Sequence, residues 1–203
     1  MLAAIALLFF LSGLSALVYE ISFVRLLTYS FGHTIYAVTV ILTTYMSGLA
    51  LGSWLFGKVA DRRPGQGLRY YALIEGGIGI YALLLLLIWP VAKLLARWFG
   101  TTFDPALGPF LIFKFAVSFL LLIPLTILMG GTLPLAVRYV TRRFEQAGAS
   151  IGTLYGINTI GGVVGTFAAG FLLLPYLGVR ASILIAFAAN AAVCVAALLL
   201  ARH

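Results

Sequence analysis

Residues 48–63 read Gly48-Leu-Ala-Leu-Gly52-Ser53-Trp54-Leu-Phe-Gly57-Lys58-Val-Ala-Asp61-Arg62-Arg63. This is an apolar run notched by glycine that ends in a cluster of fixed charge. Gly48 and Gly52 are four apart, so on a helix they share one face and leave a groove without Cβ atoms. In lipid such a groove lets a second helix approach closely, because packing rather than the hydrophobic effect drives association there. The charges that follow cannot continue into hydrocarbon. The stretch reads as a membrane helix and its aqueous exit.

The pattern returns later in the chain as Gly161-Gly-Val-Val-Gly165-Thr166-Phe167-Ala-Ala-Gly170. At one fixed offset, Gly48, Gly52 and Gly57 map onto Gly161, Gly165 and Gly170, Ser53 onto Thr166, and Trp54 onto Phe167. The same offset maps Arg25 onto Arg138. Gly48, Gly52, Gly161 and Gly165 are therefore expected to pack helix against helix.

Composition supports the membrane reading. The 203 residues are 63% hydrophobic and 9% charged, with a mean hydropathy of +1.14, where a soluble domain carries about 25% charged residues. The net charge of +8 comes from short loops between apolar runs, which fits positive-inside topology rather than nucleic-acid binding. The single cysteine, Cys194, excludes an intrachain disulfide. Residues 1–27 lack a basic leader and a clear small-residue cleavage site, so they read as a first span rather than a removed signal peptide.

A bilayer core needs about 20 helical residues, and six runs meet that length: about 2–27, 34–58, 68–89, 110–137, 148–173 and 181–201. All must be helices, since an open sheet edge cannot be satisfied in lipid. Lys58, Arg62, Arg63, Arg69, Arg138, Arg142, Arg143 and Arg202 fall on one side, and Arg25, Lys93, Arg97, Lys114 and Arg180 on the other. The richer side predicts both termini cytoplasmic, in a bacterial inner membrane. Three spans precede the second copy of the pattern, so the copies would run in opposite directions. The expected fold is an all-α membrane protein of one domain over residues 1–203. Its six transmembrane helices form two inverted three-helix repeats, about 1–90 and 110–203. Secondary transporters use that construction, including each half of the major facilitator fold.

Two further features shape the helices. Pro124 and Pro134 flank Gly130-Gly131, where missing N–H groups permit a kink. Residues 93–98, Lys93-Leu-Leu-Ala-Arg97-Trp98, suit a short helix on the outer membrane surface or an ordinary connector.

Candidate functional residues are few. No cluster has metal-ligand spacing, no cofactor is implied, and His33 and His203 are isolated, so no catalytic site is visible. Glu20 lies within the first span, about 7.5 Å along the axis from Arg25, and a charge at such depth faces a polar cavity or a partner. Two readings stay open for it: a cation or proton site, or an ion pair with another span. Arg25 sits about 140° round the helix from Glu20, so no local pair is offered. Glu75, beside Gly76, Gly77 and Gly79, is expected to pair with Arg69 or Arg62, or else to line an inner cavity. Lys114 is expected to snorkel to the headgroups. Asn158, Thr159, Tyr19 and Tyr45 serve either interhelical hydrogen bonds or a polar ligand.

Gly57-x-x-x-Asp61-Arg62 with Gly65 and Arg69 resembles the cytoplasmic loop between spans 2 and 3 of major facilitator transporters, although Pro64-Gly65-Gln66-Gly67 departs from the usual spacing. The resemblance implies a gating loop in which Gly57, Asp61, Arg62 and Arg69 latch the inner gate. More of the chain resembles bacterial membrane proteins in which a major-facilitator-like half is fused to a spermidine-synthase-like domain. The stretches that carry this are Leu17-Val-Tyr-Glu20 with Arg25-Leu-Leu, Met46-Ser-Gly-Leu-Ala-Leu-Gly-Ser53, Met129-Gly-Gly-Thr-Leu-Pro134, Leu154-Tyr-Gly-Ile-Asn-Thr-Ile-Gly161 and Leu174-Pro175. The chain stops at His203, where the soluble domain would begin, so the expectation is of no enzyme.

These readings lead to a half-size transporter working as a homodimer in the lipid bilayer, its cargo a small cation such as a polyamine. Glu20 and Glu75 would line the pathway. The alternative is a non-transporting scaffold that anchors a spermidine-synthase-like soluble partner.

Overall fold

The computed structural model describes residues 2–31, 34–63, 65–102, 108–143 and 147–202. Pro64, Asp104, His33 and His203 lie outside these. The described chain is helical almost throughout, as a backbone in hydrocarbon requires when each N–H and C=O must find its partner within the same segment. In order stand α1 (Leu2–Phe31), α2 (Thr34–Arg62), α3 (Gly67–Thr102), α4 (Gly108–Arg143), α5 (Ala147–Ala168), a π-helical turn (Ala169–Leu173) and α6 (Leu174–Leu200). No strand occurs among the described residues.

Among the described residues, five stretches are long and apolar enough to cross a membrane: Ala3–Tyr29, Ile35–Arg62, Gly67–Leu95, Ile112–Val140 and Ile151–Leu200. Between the stretches that the sequence predicts as separate spans, 148–173 and 181–201, the chain from Ile151 to Leu200 carries no long loop but a π turn and a kink. The break inside it is local. Pro175 brings no N–H to the ladder, Leu174 N–H bonds the Ala169 carbonyl across the wider π turn, and Gly178 leaves helical geometry with φ 78° and ψ 173°. The connection between the two halves, residues 174–180, is short and carries one charge, Arg180.

A second expectation is also corrected. Residues 93–98 do not form a separate surface helix but continue α3, which runs through Pro90 to Thr102. One lost backbone bond is too small a change to end a helix with no alternative partner for its backbone. Likewise α4 passes unbroken through both of its prolines. Pro134 leaves the Gly130 carbonyl without its usual donor, and Ser53 Oγ of α2 supplies one at 3.0 Å.

The largest packing surfaces join α2 to α4, α1 to α5, α3 to α6, α3 to α4 and α1 to α6. Glycine sets the closest approaches. A Cβ at Gly48 would collide with Thr126, and one at Gly52 with the Ile127 carbonyl. On the other pair, a Cβ at Gly161 would meet the Phe10 carbonyl and one at Gly165 the Leu14 carbonyl. The outside is apolar: Ile35, Leu87 and Tyr176 are 72%, 75% and 80% exposed. Such a surface is costly in water and ordinary in lipid, which is compatible with a membrane location.

A buried acidic cavity as candidate functional site

Glu75 sits about two turns past the start of α3 and is fully buried. An ionised carboxylate moved out of water without compensation costs far more than one hydrogen bond returns, so its surroundings matter. Two side chains from other helices reach it. Ser12 of α1 donates to Oε1 at 2.5 Å and Asn190 of α6 donates to Oε2 at 2.6 Å. Tyr71, one turn before Glu75 on the same helix, stacks on Phe9 at 5.4 Å and donates to the Leu8 carbonyl at 3.3 Å. The constellation thus ties α1, α3 and α6 together at one point.

No Lys, Arg or His among the described residues forms an ion pair with Glu75. The expected pair with Arg69 or Arg62 is absent: both arginines are exposed at helix ends, while Glu75 lies in the bundle interior. Glu75 is close to a cavity instead. Its two partners, Ser12 and Asn190, help line a partly open cavity of about 120 Å³ with Ser15, Tyr45, Thr132 and Asn158.

The remaining candidates separate into distinct places. Asn158 donates to the Phe9 carbonyl at 3.0 Å, and Tyr45 to the Ala16 carbonyl at 2.8 Å with Met129 Sδ at 3.1 Å. Both are interhelical bonds, and both residues line the cavity. Tyr19 is fully buried with its hydroxyl unpartnered among the described residues. Glu20 is half-buried and lines neither this cavity nor the larger groove beside it. Arg25 points elsewhere: its Nε donates to Tyr29 at 3.0 Å and its guanidinium lies 4.9 Å over that ring. Lys114 lies 4.4 Å from the Phe110 ring centre.

At the end of α2, Asp61 meets Arg138 of α4 at 3.4 Å rather than Arg62 or Arg69. Gly57 has open space where a Cβ would stand. Among the described residues no group of three metal-ligating side chains occurs.

Sequence reading missed Ser12, Ser15, Thr132 and Asn190. Ser and Thr are common in membrane helices and give no warning alone. Asn190 did offer a signal, as the sole strongly polar residue of the apolar run 181–200.

The comparisons with known proteins add one likeness. Over 186 residues the chain is 28% identical to polyamine aminopropyltransferase 2 of Streptomyces coelicolor, covering 91% of this chain and 31% of that protein. The chain therefore spans about a third of the length of the curated relative it matches. No family model matches the chain, and no solved structure matches it. The likeness overturns the expectation of no enzyme, since the protein that the chain matches in part is named as a transferase.

Proposed function

We propose that this is a polyamine-handling membrane protein that moves a small organic cation through a pathway built around Glu75. The observation that carries this is a fully buried carboxyl in an apolar bundle, without a cationic partner among the described residues and next to a polar cavity. Ionisable groups in such positions mark binding sites and ion pathways. The likeness to a polyamine aminopropyltransferase supports a polyamine as the cation.

The transporter architecture is six helices in two inverted repeats, half of a major facilitator fold, paired as a homodimer. Internal correspondence supports the repeats. The offset that carries Gly52 onto Gly165 also carries Leu14 onto Ile127, and Gly52 abuts Ile127 as Gly165 abuts Leu14. Likewise Leu49 meets Gly130 as Gly162 meets Leu17. Alternating access would rock one such bundle against the other, with the exposed Asp61–Arg138 pair at one rim. Glu20 and Arg25 of α1 stand nearer the other end.

Uptake of labelled 1,4-diaminobutane and spermidine into proteoliposomes tests the proposal. Saturable flux abolished in Glu75→Gln supports it, whereas flux of wild type no faster than empty liposomes removes it. A second reading is a membrane anchor for a spermidine-synthase-like soluble partner. It is favoured by the match to less than a third of a transferase, and stoichiometric co-purification of such a partner without flux would put it first.

A further inference from the structure

Six polar side chains line the partly open cavity, and each gives a proton to a protein acceptor. Ser12 Oγ donates to Glu75, Ser15 Oγ to the Ser12 carbonyl, Tyr45 to the Ala16 carbonyl and Thr132 Oγ1 to the Met129 carbonyl. Asn158 Nδ2 donates to the Phe9 carbonyl and Asn190 Nδ2 to Glu75. A hydroxyl has one proton, so these four hydroxyls retain only lone pairs for anything inside the cavity. Asn190 is 1% exposed and its Oδ1, a strong acceptor, is buried without a partner among the described residues. Behind this lining stands the Glu75 carboxyl, joined to it by the Ser12 and Asn190 hydrogen bonds.

The four hydroxyls present acceptors, each amide keeps one spare N–H, and the carboxyl behind them disfavours anions and matches a cation carrying N–H groups. Size narrows the choice. The cavity's volume of about 120 Å³ compares with ~30 Å³ for each water in the liquid, enough for an ammonium group and its first carbons. A second, open groove of about 620 Å³ shares Leu17, Leu49 and Asn158 with the cavity and carries Tyr155, Phe167 and Phe171.

We infer that the cavity takes the primary ammonium end of a linear aliphatic amine, whose methylene chain passes Leu17 and Leu49 into the groove. Asn190 Oδ1 and the freed lone pairs of the hydroxyls accept its N–H bonds. The apolar walls at Leu17 and Leu49 suit methylenes, and the aromatic faces of the groove suit a second ammonium. This assignment rests on the amine-handling reading above but not on transport.

Equilibrium binding to the protein in lipid nanodiscs tests it, with methylammonium, n-butylammonium, 1,4-diaminobutane, tetramethylammonium and Na⁺ as probes. Saturable binding of the primary amines is expected, with tetramethylammonium, which has no N–H, at least about tenfold weaker. Glu75→Gln and Asn190→Leu should each weaken n-butylammonium by about tenfold or more. Leu17→Trp controls for misfolding: it should weaken 1,4-diaminobutane while leaving methylammonium within about twofold, a split that loss of fold does not produce.

Four results would overturn the inference: no saturable amine binding, tetramethylammonium or Na⁺ binding as tightly as n-butylammonium, indifference to both Glu75→Gln and Asn190→Leu, or a uniform effect of Leu17→Trp on both amines. Binding without flux would leave this site standing and remove transport. Flux without such binding would do the reverse.

Discussion

Replacing Gly52 and Gly165 singly by alanine should destabilise the bundle, and by similar amounts. A Cβ at Gly52 stands against the Ile127 carbonyl, and one at Gly165 against the Leu14 carbonyl, both inside any distance a real Cβ tolerates. The obstacle in each case is backbone, which cannot swing aside as a side-chain tip does. The helices must part by about 1 Å, and on a 6–12 potential a gap of that order forfeits about a quarter to a half of each contact's attraction. Overpacked cores lose about 1–3 kcal/mol, and that range is expected for each variant. Gly57 and Gly156 have open space at the same atom, so alanine there should gain about 0.5–1 kcal/mol through helix propensity. The two sets should then differ by about 1.5–4 kcal/mol. Reversible unfolding in mixed micelles, followed by fluorescence of the three tryptophans, measures the difference. The packing argument fails if Gly57→Ala is as damaging as Gly52→Ala. The correspondence between the two halves loses its support if Gly52→Ala is costly and Gly165→Ala is neutral.

Ser53→Ala should cost about 1 kcal/mol in the same assay, because it strips the donor from the carbonyl that Pro134 leaves free; Ser53→Thr, which keeps the hydroxyl, should recover part of it. Gly178→Ala should cost about 1–3 kcal/mol, since a positive φ with an extended ψ lies in a region essentially reserved for glycine; a neutral result would mean that the turn rearranges freely. Asp61→Asn should change stability by less than about 1 kcal/mol, the pair with Arg138 being largely exposed, and any effect should shrink in high salt. A loss several times that size, insensitive to salt, would show that this pair is screened from water.

The fold was legible wherever the argument needed only solvent physics. Long apolar runs, carboxylates scarce enough to count, and glycines four apart are enough to require helices and to say which faces meet, and Gly48, Gly52, Gly161 and Gly165 all stand at close helix contacts. Boundaries were less legible. Leu174-Pro175 and Gly178 look like a loop in sequence, yet the break there is only a π turn and a kink at Gly178, with Arg180 close behind it. Residues 93–98 look amphipathic yet extend α3, because amphipathic pattern alone does not say where a helix starts.

The site was legible in one residue and hidden in the rest. Five carboxylates in 203 residues made Glu75 conspicuous, but the nearest charges in sequence suggested an ion pair. In hydrocarbon an arginine that can reach the headgroups stays there, since drawing it down to a buried acid desolvates a second charge. Neutral donors are the cheaper answer, and Ser12 and Asn190 provide them from 63 and 115 residues away. That choice has a chemical consequence. An arginine at Glu75 would have neutralised the site permanently. Hydroxyl and amide donors add no positive charge beside the carboxyl, and Ser12, having given its one proton to Glu75, keeps only lone pairs. That no described cation pairs with Glu75 is thus what gives the bundle a place for one from outside.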